Sequence, residues 1–473
     1  MILQFLRQYF RLYPLLAILC AQSINFHPEF NYKYESDSDQ YSSKNTPIQN
    51  YELIIIGQYK AKKLNIMGRL GYHLLDGAKI EANKPVNLSD FTHAQGLHWI
   101  TKSPGLLDDQ SNYYVADMQI RYGDVDNFFY FNKWPKHWGP GINSLTISTK
   151  IPNFFHFGFK QRLGKNILFE YFHGKLKSNI TDTNYVNYYD ELEGRPFDIV
   201  RNIAGHRLEL RLNKQIVLSG SEIVVYANRF FEMTYLLPFL PFFPVEEYVG
   251  ETDNVIMSVD IQYLPRNNIC VYGVLMIDEW SPPVTFDKDN HNWFGWQTGI
   301  EWTDFLIITS RFRLEYTWTD HRIYRHRFPV NDYYSYNYPV GFWAGPHAEE
   351  LYIDYSFPFK ENMIELLYSN SKRGELTDAM LIDKYHRPSN KKIYERFGAD
   401  NQDMCDDCVG TVESRRLFSI SIKRKFTKEI DISFQYSYID WKNAGFTPTN
   451  PQSEENLPEI IKHSVGITIL YRN

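Results

Sequence analysis

Along most of the chain, apolar and polar residues alternate with a period of two. In 255–263, Val255, Met257, Val259, Ile261 and Tyr263 interleave with Ser258, Asp260 and Gln262. In 294–302, Phe294, Trp296, Ile300 and Trp302 interleave with Gly295, Gln297, Gly299 and Glu301. Phe312, Leu314, Tyr316 and Trp318 alternate with Arg311, Arg313, Glu315, Thr317 and Thr319, and 430–438 repeats the pattern. Such alternation predicts strands with one apolar and one polar face. Candidate strands fall near 50–61, 64–75, 112–122, 125–131, 143–150, 154–161, 166–176, 205–213, 221–230, 254–264, 268–278, 293–302, 306–319, 348–358, 361–370, 414–425, 429–440 and 462–472.

A sandwich would also alternate, so the polar face decides the architecture. Strand after strand sets Arg, Glu and Asp opposite Phe, Trp and Tyr. Many segments run to about ten residues, the length that crosses a bilayer at a tilt. Rings sit near strand ends, at Tyr263, Trp302, Trp318 and Tyr438, where a girdle would lie. The expected fold is all-β: a single transmembrane antiparallel barrel of roughly 16 to 18 strands, with lumen-filling or extracellular loops. Composition agrees. Aromatic residues reach 16%, with 35 Tyr and 33 Phe, while 22% of residues are charged. Mean hydropathy is −0.43, so the chain is ring-rich yet polar on average.

The first residues add a compartment. Arg7 and Arg11 precede a short apolar stretch, Leu12 to Cys20, and Ala21-Gln22-Ser23 follows. That order predicts a cleaved export signal over 1–23, with the barrel and its plug or loop insertions over 24–473. Export and barrel together point to a bacterial outer membrane and contact with its lipid. Acidic residues outnumber basic ones, 56 to 50, which argues against nucleic acid as a partner. Cys405 and Cys408 read as a small loop disulfide in an exported protein. Short connections such as Pro265-Arg266-Asn267-Asn268 and Thr427-Lys428-Glu429 fit periplasmic turns. Long ones at 76–111, 177–204, 231–253, 320–347 and 371–413 are extracellular or fold into the bore. The run YLLPFLPFFP (235–244) is too apolar for open water and too proline-broken for a helix. It is expected against the barrel wall or within the bore.

Several stretches resemble the Wzi-type capsule-assembly proteins of bacterial outer membranes. They are WPKHWGPGINSLTIS (134–148), IAGHRLEL (203–210), GSEIVVYANR (220–229), DNVIMSVDIQYLP (253–265), VYGVLMIDE (271–279), GWQTGIEW (295–302), LEYTWTDHRIYRHR (314–327) and YPVGFWAGPHAEELYIDYSF (338–357). The resemblance covers roughly 130 to 360. It implies a plugged outer-membrane barrel, without enzyme activity, that holds capsular or other surface polysaccharide.

Candidate chemistry is sparse. Trp134, His137 and Trp138 could stack on and hydrogen-bond sugars. The competing reading, a corner that Gly139 and Gly141 permit and the rings cover, is favoured. Arg207, Glu209, Asp278, Arg311, Arg313 and Glu315 are expected in charge pairs that hold the wall or the plug together. His321, His326 and His347 lack metal-ligand spacing, and Asp287-Lys288-Asp289-Asn290 fails as a calcium loop. No cofactor, metal or catalytic residue is expected: there is no Gly-x-Ser-x-Gly elbow, His-Glu-x-x-His or phosphate-binding loop. A porin or transport channel and a barrel-type membrane hydrolase stand as the alternative functions.

Overall fold

A computed structural model describes residues 24–36, 48–76, 85–86, 98–101, 110–184, 197–279, 283, 292–336, 338–376, 412–443 and 459–472. The expected export signal, the Cys405–Cys408 segment and Asp287–Asn290 lie outside them. The strands are β1 Ile24–Glu35, β2 Ile48–Ala61, β3 Leu64–Asp76, β4 Pro85–Val86, β5 His98–Thr101, β6 Gln110–Gly123, β7 Phe128–Lys133 and β8 Phe155–Arg162. Next come β9 Ile167–Thr181, β10 Asp198–Arg211, β11 Ile216–Ala227, β12 Asn254–Arg266, β13 Ile269–Glu279, β14 Trp293–Thr303 and β15 Arg311–Thr319. The last are β16 Tyr334–Ser335, β17 Tyr338–Pro339, β18 Ala348–Phe359, β19 Asn362–Gly374, β20 Val412–Lys425, β21 Ile430–Lys442 and β22 Glu459–Arg472. A short helix, α1, spans Phe242–Val249.

Eighteen of these strands form a closed antiparallel barrel. Each pairs with its sequence neighbour among β1–β3, β6–β15 and β18–β22. The ring closes where β22 meets β1, with Tyr471 opposite Phe30 and Ile467 opposite Tyr34. Closure leaves the barrel without a free edge strand, the condition for backbone to cross hydrocarbon; where the short β7 stops at Met118 of β6, Lys133 Nζ donates to the Ala116 carbonyl at 2.7 Å. Tight connections, such as 62–63, 212–215, 267–268 and 360–361, gather at one end; the long ones gather at the other. In outer-membrane barrels these ends are periplasmic and extracellular. At one tight turn Thr427 Oγ1 accepts from the N–H groups of Glu429 and Ile430, fixing the reversal.

The two faces separate as the alternation requires. On β7, Phe129 points outward and is 67% exposed, whereas Tyr130 and Asn132 turn inward and are buried. On β15, Glu315 is 1% exposed and faces the bore with Thr317 and Thr319. Phe312, Leu314, Tyr316 and Trp318 occupy the outer wall. Trp302, Phe305, Phe312 and Tyr355 cluster outside the tight-turn end, with Phe305 4.9 Å from both Trp302 and Phe312.

Four expectations change. The stretch 143–150 is no strand; its only pairing is the isolated bridge Trp138↔Ile147. Leu145 and Ile147 alternate there, but protein surrounds both faces of the segment inside the bore. β1 was missed, although Phe26, Phe30, Tyr32 and Tyr34 carry the period. Pro265 belongs to β12, at a register shift before Arg266, leaving Asn267 and Asn268 as the turn. Finally, the bore is not ionic throughout. Ile203, Ile223, Val225, Ile256, Val274 and Met276 point inward and form one apolar core with the inserted loops.

The 235–244 run lies on the outside. Tyr235, Phe242 and Val245 pack over the outward residues Phe169, Tyr171, Ala204, Val224, Tyr226 and Val255. Phe239 stacks on Phe169 at 4.7 Å, two residues from the tight-turn end of β9. This strap therefore runs down the outer wall.

Candidate functional site in the bore

The loop between β7 and β8, 134–154, turns into the bore because two glycines permit it. Gly139 has φ +109°, a region costly for any residue with a Cβ. A Cβ on Gly141 would overlap the Glu315 carboxylate and the Gln297 amide. With only hydrogen there, the loop backbone reaches the wall. Glu315 then accepts from Ile142 N at 2.9 Å, Asn143 N at 3.0 Å and Tyr272 Oη at 2.6 Å. The Asn143 side chain donates to Glu350 at 2.7 Å and accepts from Lys150 Nζ. Glu350 also accepts from Trp343 Nε1 at 2.8 Å and Ser369 Oγ at 2.7 Å. Gln297 Nε2 donates to Asn143 O at 2.9 Å. Two buried carboxylates thus clamp one asparagine, each accepting three hydrogen bonds in a site closed off by protein.

The loop 320–347 locks over the first. Tyr324 Oη donates to Leu145 O at 2.7 Å, Tyr333 Oη to Thr146 O at 2.6 Å, and Ser148 N to Val340 O at 2.8 Å. From the wall, the Arg201 guanidinium donates to the carbonyls of Val330, Tyr334 and Pro329, at 2.7, 2.6 and 3.1 Å. Burial lowers the Lys150 pKa to about 8 against the opposing pull of Glu350 and Glu315.

The two tryptophans differ. Trp138 is 3% exposed, edge-on to Phe172 at 5.0 Å. Its ring also faces the Lys136 ammonium at 4.8 Å, which pairs with Glu170 at 2.7 Å. Burial holds the Lys136 pKa below the usual lysine value despite that carboxylate. Trp134 is half-buried, with the Arg69 guanidinium 5.6 Å from its ring. His137 is solvent-accessible yet surrounded by protein. That enclosure lowers its pKa more than backbone hydrogen bonding to Gly139 and Gly141 raises it.

Beneath the loop, on its tight-turn side, lies a cavity of about 190 Å³ lined by His137, Trp138, Lys160, Arg207, Glu209 and Gln262. Drug-sized ligand pockets begin near roughly 300 Å³, so this one suits a single ring-sized group. The buried indole Nε1 of Trp138 finds no acceptor among the described residues.

The expected charge group is dispersed. Arg207 pairs with Asp260 at 2.7 Å rather than with Glu209, which lines the cavity. Arg311 meets Asp354 at 3.5 Å, and Arg313 meets Glu301. Asp278 accepts from Tyr324 N, and Glu315 binds loop amides instead of a cation. Sequence reasoning missed Asn143, Lys150, Arg201, Gln297 and Glu350. The strand parity that put Glu315 inside also applies to Arg201, Gln297 and Glu350. Nothing in the pattern marked Asn143 or Lys150. Among the described residues no cluster of three His, Cys, Asp or Glu side chains forms a metal site.

Comparison with solved structures now bears on the arrangement. The chain is similar to Wzi of Escherichia coli, described as a carbohydrate-binding β-barrel of the outer membrane involved in group 1 capsule assembly. The TM-score is 0.55 at 12% identity, over 97% of this chain and 87% of that one. The fold is that of an outer-membrane β-barrel. Weaker likenesses are to OccAB4 of Acinetobacter baumannii (TM-score 0.46, 10% identity, 96% and 98% covered) and a BenF-like porin of Pseudomonas fluorescens Pf-5 (0.47, 7%, 95% and 98%). No family model matches the sequence, and no curated protein does.

Proposed function

We propose that this barrel is a non-enzymatic device that binds and holds capsular or other surface polysaccharide. The observation that carries the reading is the lock inside the bore: two loops joined to each other and clamped by Glu315 and Glu350. A channel needs a free path, whereas a holding device needs fixed groups. The likeness in fold to a carbohydrate-binding barrel supports it. So does the cavity, where Lys160 donates, Glu209 accepts, Gln262 does both and Trp138 offers an indole N–H. Hydroxyl-rich sugars match that mixture, and ring edges supply apolar contact.

The test is titration of the purified barrel with the host's own polysaccharide, beside a deletion strain scored for its coat. Measurable binding, weakened about a hundredfold by Lys160→Ala with Glu209→Ala, is expected, each lost charged hydrogen bond contributing about 1.5 kcal/mol. No binding and an unchanged coat would remove the proposal. Steady conductance in planar bilayers would favour a channel, and product release from labelled glycan a hydrolase.

A further inference from the structure

On the outer wall, the extracellular ends of β7 and β9 carry lysines. Lys133 and Lys175 flank Phe155 in one register, Lys133↔Phe155↔Lys175. Lys177 stands one outward position nearer the rim, and all three are exposed. Lys133 lies 3.4 Å from Asp117. Among the described residues, Lys175 meets only the rings of Phe230 and Phe231, at 6.0 and 5.4 Å, and Lys177 has no ion pair. Directly below comes the strap, whose Phe230, Met233, Leu237, Phe239, Leu240 and Phe243 remain exposed.

The strap backbone is adapted to a medium without water. Pro238, Pro241 and Pro244 have no N–H to satisfy. Leu237 N and Leu240 N bond within the strap, and Phe242 N donates to Glu222 on the wall at 2.8 Å. Irregular backbone is otherwise excluded from hydrocarbon. Cations at the rim above a broad apolar shelf match an amphiphile with a negative head.

We propose that this surface docks a phosphorylated, anionic lipid of the outer leaflet. Its phosphate sits on Lys175 and Lys177, with Lys133 at the flank, and its acyl chains lie along the strap. Full-length protein would be reconstituted in phosphatidylcholine nanodiscs doped with lipid A or with dephosphorylated lipid A. Native mass spectrometry then counts lipid retained after extraction. Retention of lipid A alone is expected, cut about fivefold per lysine removed in Lys175→Gln/Lys177→Gln and less by Phe230→Ser. Inorganic phosphate should not displace it. Heat-modifiable gel migration confirms that each variant is folded, and single substitutions replace the pair if it is not. Equal retention of the dephosphorylated lipid, indifference to the lysine changes, or displacement by inorganic phosphate would overturn the proposal.

Discussion

Two insertions pack on opposite faces of the same wall. Inside, the 134–154 loop meets Ile203, Ile223, Val225 and Ile256; outside, the strap meets Ala204, Val224, Tyr226 and Val255. The inner loop keeps its polar backbone and gives it to wall carboxylates, through Ile142 N, Asn143 N and the Asn143 amide. The outer strap instead reduces its polar backbone with three prolines and spends one wall carboxylate, Glu222, on the N-terminus of α1. The solvent beyond each insertion explains the difference. In the bore, polar groups are desolvated by protein and must be paired. On the outer wall, whatever is unpaired faces hydrocarbon, so fewer donors are carried there at all.

Substitutions can break this comparison one side at a time. Glu315→Ala should be the most damaging, since it strands two loop amides and the Tyr272 hydroxyl in a dry site. A loss of about 4 kcal/mol is expected in urea unfolding of the folded barrel, at about 1–3 kcal/mol per orphaned group. Lys150 supplies a pH signature of the same lock. Its folded pKa is about 8 and its unfolded value 10.5, so between those limits the unfolded chain binds the extra proton. Stability contributed by this group therefore rises with pH across that window, by about 3 kcal/mol at most. Lys150→Met should flatten that segment of the stability–pH curve.

On the outer side, Glu222→Ala removes the acceptor of Phe242 N and the partner of His206. A cost of about 2 kcal/mol is expected, with amide exchange rising in 234–250 and staying unchanged in 142–150. Exchange rising in both would show the two insertions to be coupled through the wall. The smallest effect belongs to Arg162→Ala at the tight-turn end. Its pair with Asp126 is well exposed on both sides, and loss should stay under about 1 kcal/mol in the same unfolding assay.

Alternation made the barrel legible because each lipid-facing ring repeats every second residue. It erred where one face of the rule was disturbed. At 143–150 the period was real, but it described a segment buried by protein all round. At 223–227, Ile-Val-Val-Tyr-Ala drops the polar partner because plug and strap cover both faces of β11. An unbroken apolar run inside a barrel strand was therefore the sequence trace of both insertions. The fate of 235–244 was half legible: too apolar for water, it had to lie on a wall, yet composition could not choose the side. Trp138 is buried edge-on against Phe172 and also lines the cavity, so its glycine surroundings alone do not choose between scaffold and platform. The carboxylate partners of Asn143 lie more than 170 positions away in sequence, and no local pattern encodes them.

The claim most exposed to test is that the 142–148 segment is clamped to the barrel wall by Glu315 and Glu350. Hydrogen–deuterium exchange of the reconstituted protein measures it directly. The clamped state predicts that the Ile142 and Asn143 amides are protected as strongly as the ladder amides of β15. Exchange as fast as at the Asn267–Asn268 turn would contradict it.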